Sequence, residues 1–212
     1  MESGFLASTD TIDWRTESVR RLAEALRDQA HEELDLVRNT FEWVRDKIQH
    51  SVDFQRTEVT CRASDVLALR TGYCYAKSHL LAALLRANGV PAGFCYQRLT
   101  LNGDQPPFCL HGLNVVYLHD HGWHRIDARG NKAGVDAQFI PPREQLAFAT
   151  GFDGEFDFQE IWSAPLPVVI QSLESAVSVQ SLGHNLPDVS FEEMQAYCES
   201  VTTKPIMRTK VA

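Results

Sequence analysis

With 212 residues, 44% of them hydrophobic and 23% charged, the chain is long enough for one generous domain with a sizeable core. Its formal net charge is −8 with eight His taken as neutral, and its 20 Lys and Arg are scattered along the chain. Nucleic acid is therefore not expected as a partner, because neutralising phosphates needs clustered cations.

The first region, to about Leu69, reads as helical. Within Thr16–Gln29, Val19, Leu22, Ala23 and Leu26 recur at helical spacing, as do Leu34, Val37, Phe41, Val44 and Ile48 within Glu33–Ile48. Ser64-Asp65 starts a further short helix over Val66–Leu69. A second region begins at Thr71. Its apolar helix, Cys74 to Ala87, stops at Asn88-Gly89, a common helix end. Strand-like runs follow at Ala92–Leu101, Leu113–Leu118 and Trp123–Ile126. The polar turn His119-Asp120-His121-Gly122 suits a hairpin between the last two. From Pro141 the chain is Pro-punctuated, with helices predicted at Val168–Val177 and Phe191–Val201. Ser190 and Glu193 form a capping-box pattern ahead of the second. A helix followed by antiparallel strands gives an α+β class. The expected organisation is one domain over 1–212: a helical region 1–69, a catalytic core 70–140, and a C-terminal extension 141–212 too poor in apolar residues to hold a core of its own.

Chemistry concentrates at Gly72-Tyr73-Cys74. A Gly two residues before a Cys lets the backbone turn sharply into the helix that the Cys opens. Unpaired N–H groups of the first turn then point towards the sulfur, and with a neighbouring imidazolium they favour the reactive thiolate. The Cys74 N–H is also placed to serve as one oxyanion donor. Downstream, His111 opens the second strand-like run and Asp127 ends the third. Folding the hairpin at 119–122 brings the two to facing or diagonal positions, within reach of a His–Asp hydrogen bond. Cys74 as nucleophile, His111 as its base and Asp127 as the group that orients the His form a coherent set. Taken singly, a buried Cys, a polar strand end and a turn cap are the commoner explanations.

The segment Gly72-Tyr73-Cys74 followed by Leu80-Leu81-Ala82-Ala83-Leu84-Leu85-Arg86-Ala87-Asn88-Gly89-Val90-Pro91-Ala92 resembles the core of the bacterial transglutaminase-like superfamily. His111 and the run Gly122-Trp123-His124-Arg125-Ile126-Asp127 complete that pattern. The resemblance covers Asp65 to about Gly130, and Pro165-Leu166-Pro167-Val168 and Leu186-Pro187 are similar to the tail of small bacterial members. It implies a papain-like core in which the Cys helix packs on an antiparallel sheet, with a Cys74, His111, Asp127 triad. The superfamily includes cross-linkers, proteases, amidases and members without activity, so it does not choose the reaction.

Other residues have blander explanations. His119, His121 and His124 crowd together, but they span a turn, where ligands splay into solvent, so no metal is expected there. Lys77 lies one turn beyond Cys74 and reads as a solvated or carboxylate-paired rim residue. Cys109 reads as a strand residue that, two before His111, could approach the site but lacks a helix start to activate it, and Trp43 and Gln55 are weak candidates for a second oxyanion donor. The five Cys, at 61, 74, 95, 109 and 198, are odd in number and irregularly spaced. That argues against a disulfide framework and for a reducing, cytoplasmic compartment. No segment approaches the ~20 apolar residues of a membrane span, and Met1 to Asp13 lacks the features of an export signal.

The expected reaction is acyl transfer through a thioester on a peptide, protein or small amide, with hydrolysis as the default and transamidation as the alternative. No cofactor is expected, and no D-x-D-x-D-G calcium loop is present. A non-catalytic binding module on the same fold is the rival from a different class.

Overall fold

The computed structural model describes residues 3–207, so the extreme ends of the expected 1–212 domain lie outside the described residues. Three helices lead: α1 (Glu17–Arg27), α2 (Glu33–Lys47) and α3 (Ala63–Leu69). Each buries the stripe that its periodicity predicts, with Val19 and Ala23, Val37 and Phe41, and Val66 sealed from solvent. Between them lies a two-residue parallel strip, β1 (Gln49–His50) on β2 (Thr71–Gly72), with His50 opposite Gly72.

Helix α4 (Cys74–Ala87) is the centre of the molecule, buried on nearly every side. Leu80, Leu81, Leu84 and Leu85 are fully enclosed, and α4 packs on α1, α2 and α3 as well as on the sheet. Its buried polar residues are satisfied by carbonyl oxygens. Arg86 donates to Ala92 O, Ala7 O and Ser163 O, and His79 Nδ1 lies 2.8 Å from Cys61 O.

The main sheet is antiparallel in the order β5-β4-β3-β8, from β3 (Ala92–Asn102), β4 (Gln105–Leu118), β5 (Gly122–Ile126) and β8 (Phe156–Asp157). The hairpin predicted at 119–122 joins β4 to β5. Strand β4 starts eight residues before the predicted Leu113. Its early part carries Pro106-Pro107 and reads as a loop, yet it pairs with β3 down to Gln105, opposite Asn102. β5 reaches only Asn114, so the prolines stand on an edge where a missing N–H costs no ladder bond. A small hairpin of β6 (Gln138–Ile140) and β7 (Arg143–Gln145) follows β5.

The C-terminal residues lie over this frame. Strand β9 (Glu160–Ile161) pairs with β10 (Ile206–Met207), and between them run α5 (Pro167–Ser175), α6 (Val179–His184) and α7 (Phe191–Ser200). The Ser190–Glu193 capping box is formed on α7, and a second one, Ser178–Ser181, opens α6, which the sequence pattern did not signal. Val169, Leu173, Leu182 and Met194 join the same apolar core as α4.

Candidate active site

Gly72 sits where a Cβ would press on Ala76 and Thr60, at 3.2 and 3.3 Å, so the turn into α4 is built around its absent side chain. Tyr73 then takes extended backbone as N-cap without a side-chain cap, which leaves the first-turn N–H groups at Cys74 open. Tyr75 fastens this end to the sheet. Its hydroxyl donates to Leu110 O, and its ring fills the space over Gly112, where a Cβ would come within 2.7 Å of Tyr75 Cδ1. The residue after His111 is glycine because the residue after Cys74 is a tyrosine.

His111 stands inside β4, opposite Gln97, and not at a strand start as the sequence pattern suggested. Asp127 is one residue past the end of β5, because Ile126 pairs with Asn114. That register makes the two diagonal neighbours. His111 Nε2 and Asp127 Oδ2 are 2.8 Å apart, and both side chains are buried. Asp127 also accepts from Ala147 N and Arg129 N, both at 3.0 Å. Burial alone would raise its pKa, but the His111 charge and hydrogen bond and the two backbone donors hold it below the ordinary carboxylate value. For His111, burial pulls the pKa down, while the charges of Asp127 and Cys74 and hydrogen bonds with both lift it to about 10. With Nε2 committed to Asp127, Nδ1 is the nitrogen left for the sulfur.

Cys74 is only 4% exposed, yet it lines a cavity of about 390 Å³ together with His111. The cavity walls include Leu99, Leu101, Phe148 and Phe152, with His50, Tyr73 and Arg129 at its polar side. Phe148 meets the His111 ring edge-on at 5.0 Å and screens the pair. The three residues singled out in the sequence are therefore adjacent, and a substrate-sized space opens beside them.

Several neighbours were missed or misjudged. Lys77 is not a rim residue but wholly buried, donating through Nζ to Ile48 O and Arg45 O. Burial, then Arg129, pulls its pKa down to about 7. Arg129 grips Asp53 through both Nη atoms, and Lys132 Nζ adds a contact with Asp53 at 2.7 Å. Cys109 reaches the cavity wall, where burial and the Cys74 charge push its thiol up to about 12. Trp43 lies under the Arg70 guanidinium, and Gln55 is exposed on a turn with φ 52°. His119 and His121 are exposed, whereas His124 turns inward onto Phe139, so the three do not converge.

Among solved structures, a candidate cysteine protease from Cytophaga hutchinsonii is 22% identical, covers 59% of this chain and 40% of its own, and has a TM-score of 0.48. The periplasmic domain of TgpA from Pseudomonas aeruginosa is 22% identical over 51% of this chain and 42% of its own, with a TM-score of 0.41. The chain thus spans about two fifths of the length of these structures. No curated protein matches. The sequence model of the transglutaminase-like superfamily matches residues 20–128, half of the chain, from α1 through the residue after Asp127, and the chain belongs to that superfamily.

Proposed function

We propose that the protein performs thiol-dependent acyl transfer on an amide through Cys74, His111 and Asp127. The observation that carries this reading is an imidazole held between a buried carboxylate and a sulfur at an uncapped helix start, beside a cavity. Cys74 Sγ bonds to the amide carbonyl carbon, and the π electrons move onto oxygen. As the carbonyl re-forms, the C–N bond breaks and His111 delivers its proton to the departing amine. Water then gives a proton to His111 and attacks the thioester. The C–S bond breaks, the acid leaves, and the thiolate–imidazolium pair is restored. Asp127 holds the ring and stabilises its positive charge throughout.

Hydrolysis of a peptide, protein or small amide, as by a cysteine protease or amidase, is the reaction we assign. Transamidation would follow if an amine replaced water. A chain whose five cysteines are all free suits a reducing compartment, and we place it in the cytoplasm. The test incubates wild type and Cys74→Ala with a peptide library and a tagged primary amine, followed by mass spectrometry. Cleaved or deamidated peptides from wild type alone support hydrolysis, and amine adducts support transamidation. Identical products from both proteins would remove the nucleophile, and no products from either would favour a binding module.

A further inference from the structure

An oxyanion formed at Cys74 needs donors besides the Cys74 N–H, and the two residues that the sequence suggested lie elsewhere: Trp43 under Arg70, Gln55 out on a turn. His50 is better placed. It pairs across the parallel strip with Gly72, two residues before the sulfur, and its ring lines the same cavity as Cys74 and His111. We propose that His50 is a further catalytic residue, which donates a hydrogen bond from Nε2 to the carbonyl oxygen of the substrate as it becomes negative. The proposal rests on Cys74 being the acyl-accepting nucleophile.

The backbone that carries the ring is held from two sides, and the ring itself rests on Tyr73. Ser51 N donates to Gly72 O at 3.1 Å and Gln49 N to Arg70 O at 2.9 Å, which lock the strip in register. Lys77 holds Ile48 O and Arg45 O, at the junction where α2 runs into the strip. The Tyr73 ring packs on the imidazole with centroids 5.1 Å apart. A group held this firmly meets the requirement for electrostatic catalysis, namely dipoles in place before charge develops.

Its protonation also fits. Burial, then the Arg129 charge, lowers the His50 pKa to about 3, so the ring is neutral and carries one N–H. Nδ1 is sealed in protein with no hydrogen bond, 3.7 Å from Asp53 Oδ2. Asp53 is already taken by Arg129 and Lys132, so it makes little claim on an Nδ1 proton. Among the described residues Nε2 has no hydrogen-bond partner. An oxyanion facing a bare nitrogen lone pair would be repelled, so its arrival selects the Nε2–H tautomer. A neutral imidazole does not take a second proton from the site, which leaves proton transfer to His111.

The test compares two reactions of the same sulfur. Acylation by p-nitrophenyl acetate passes through an oxyanion; alkylation by iodoacetamide displaces iodide and does not. His50→Phe keeps a ring against Tyr73 without any N–H, and His50→Asn restores a donor. Loss of one oxyanion donor is expected to slow acylation by roughly 10²–10³-fold, with alkylation unchanged and part of the acylation recovered in His50→Asn. Two results overturn the proposal: acylation unchanged in His50→Phe, or acylation and alkylation falling together, as for a residue that only shapes the site. Should His50→Phe fail to fold, the same ratio of rates in His50→Asn and His50→Gln decides, and equal losses in both reactions overturn it. Ester cleavage surviving in Cys74→Ala would instead defeat the nucleophile assignment, whatever His50 does.

Discussion

Both oxygens of Asp127 are occupied, one by Arg129 N and the other by His111 and Ala147 N, so an amide at that position would have to turn an N–H towards a donor. Asp127→Asn is therefore expected to lose the imidazolium and with it up to about 10⁴-fold in turnover. The rate of Cys74 alkylation by iodoacetamide at neutral pH should fall with it. In wild type that labelling should be selective. Burial pushes the Cys61 and Cys109 thiols up to about 11 and about 12, which keeps both protonated under conditions where a sulfur paired with imidazolium reacts. Peptide mapping after brief labelling below pH 8 should find Cys74 first, and even labelling of all five would count against the pair. At Gly112 the constraint is steric. Gly112→Ala places a Cβ against Tyr75 Cδ1 and is expected to cost about 1–3 kcal/mol in urea unfolding.

Helix α4 is buried all round, and the one primary amine on it, Lys77, has two carbonyl oxygens to satisfy. A neutral amine has two hydrogens and can serve both, while a charged one suffers from burial and from Arg129. Between the native pKa of about 7 and the ordinary 10.5, the unfolded chain holds a proton that the native protein has released, so stability from this group rises with pH across that window. Lys77→Met removes the titration. The difference in unfolding free energy between wild type and Lys77→Met should thus move in favour of wild type from pH 7 to pH 10, by at most about 1.4 kcal/mol per pH unit. A constant difference would show that the amine is charged and solvated. Strand β4 likewise depends on partners from elsewhere in the chain. Its early half is extended because β3 offers it a partner, and the C-terminal segment covers its other edge, with Leu110 N donating to Pro187 O at 2.7 Å.

Over the whole molecule, the C-terminal helices are joined to the core that supports the site. Met194 and Leu182 are each 1% exposed within the cluster that includes α4, and Leu166 N donates to the Tyr96 hydroxyl at 3.0 Å. Arg98 Nε and Nη2, on β3, reach the Asp188 carboxylate at 2.7 and 2.6 Å. A continuous core predicts a single unfolding transition. Met194→Ala is expected to cost about 2–5 kcal/mol while leaving one transition in urea. Separate transitions followed by tryptophan fluorescence and by far-UV circular dichroism would contradict this.

By itself the sequence determined the helices with strong periodicity, the bounds of α4 and the hairpin at 119–122, and it singled out Cys74, His111 and Asp127, which the structure brings together. Each of these is written in local spacing: an apolar stripe, a Gly before a Cys, a turn between two alternating runs. Only the tertiary structure decided that His50 and Arg129 line the cavity beside the sulfur, that Lys77 is buried against backbone carbonyls, that Ala147 and Phe148 enclose the His–Asp pair, and that β4 extends back through two prolines. The reason is common to all of them. A lone polar residue in a local pattern looks the same whether solvent or a cavity awaits it, and its burial is fixed by segments that return to it from far along the chain.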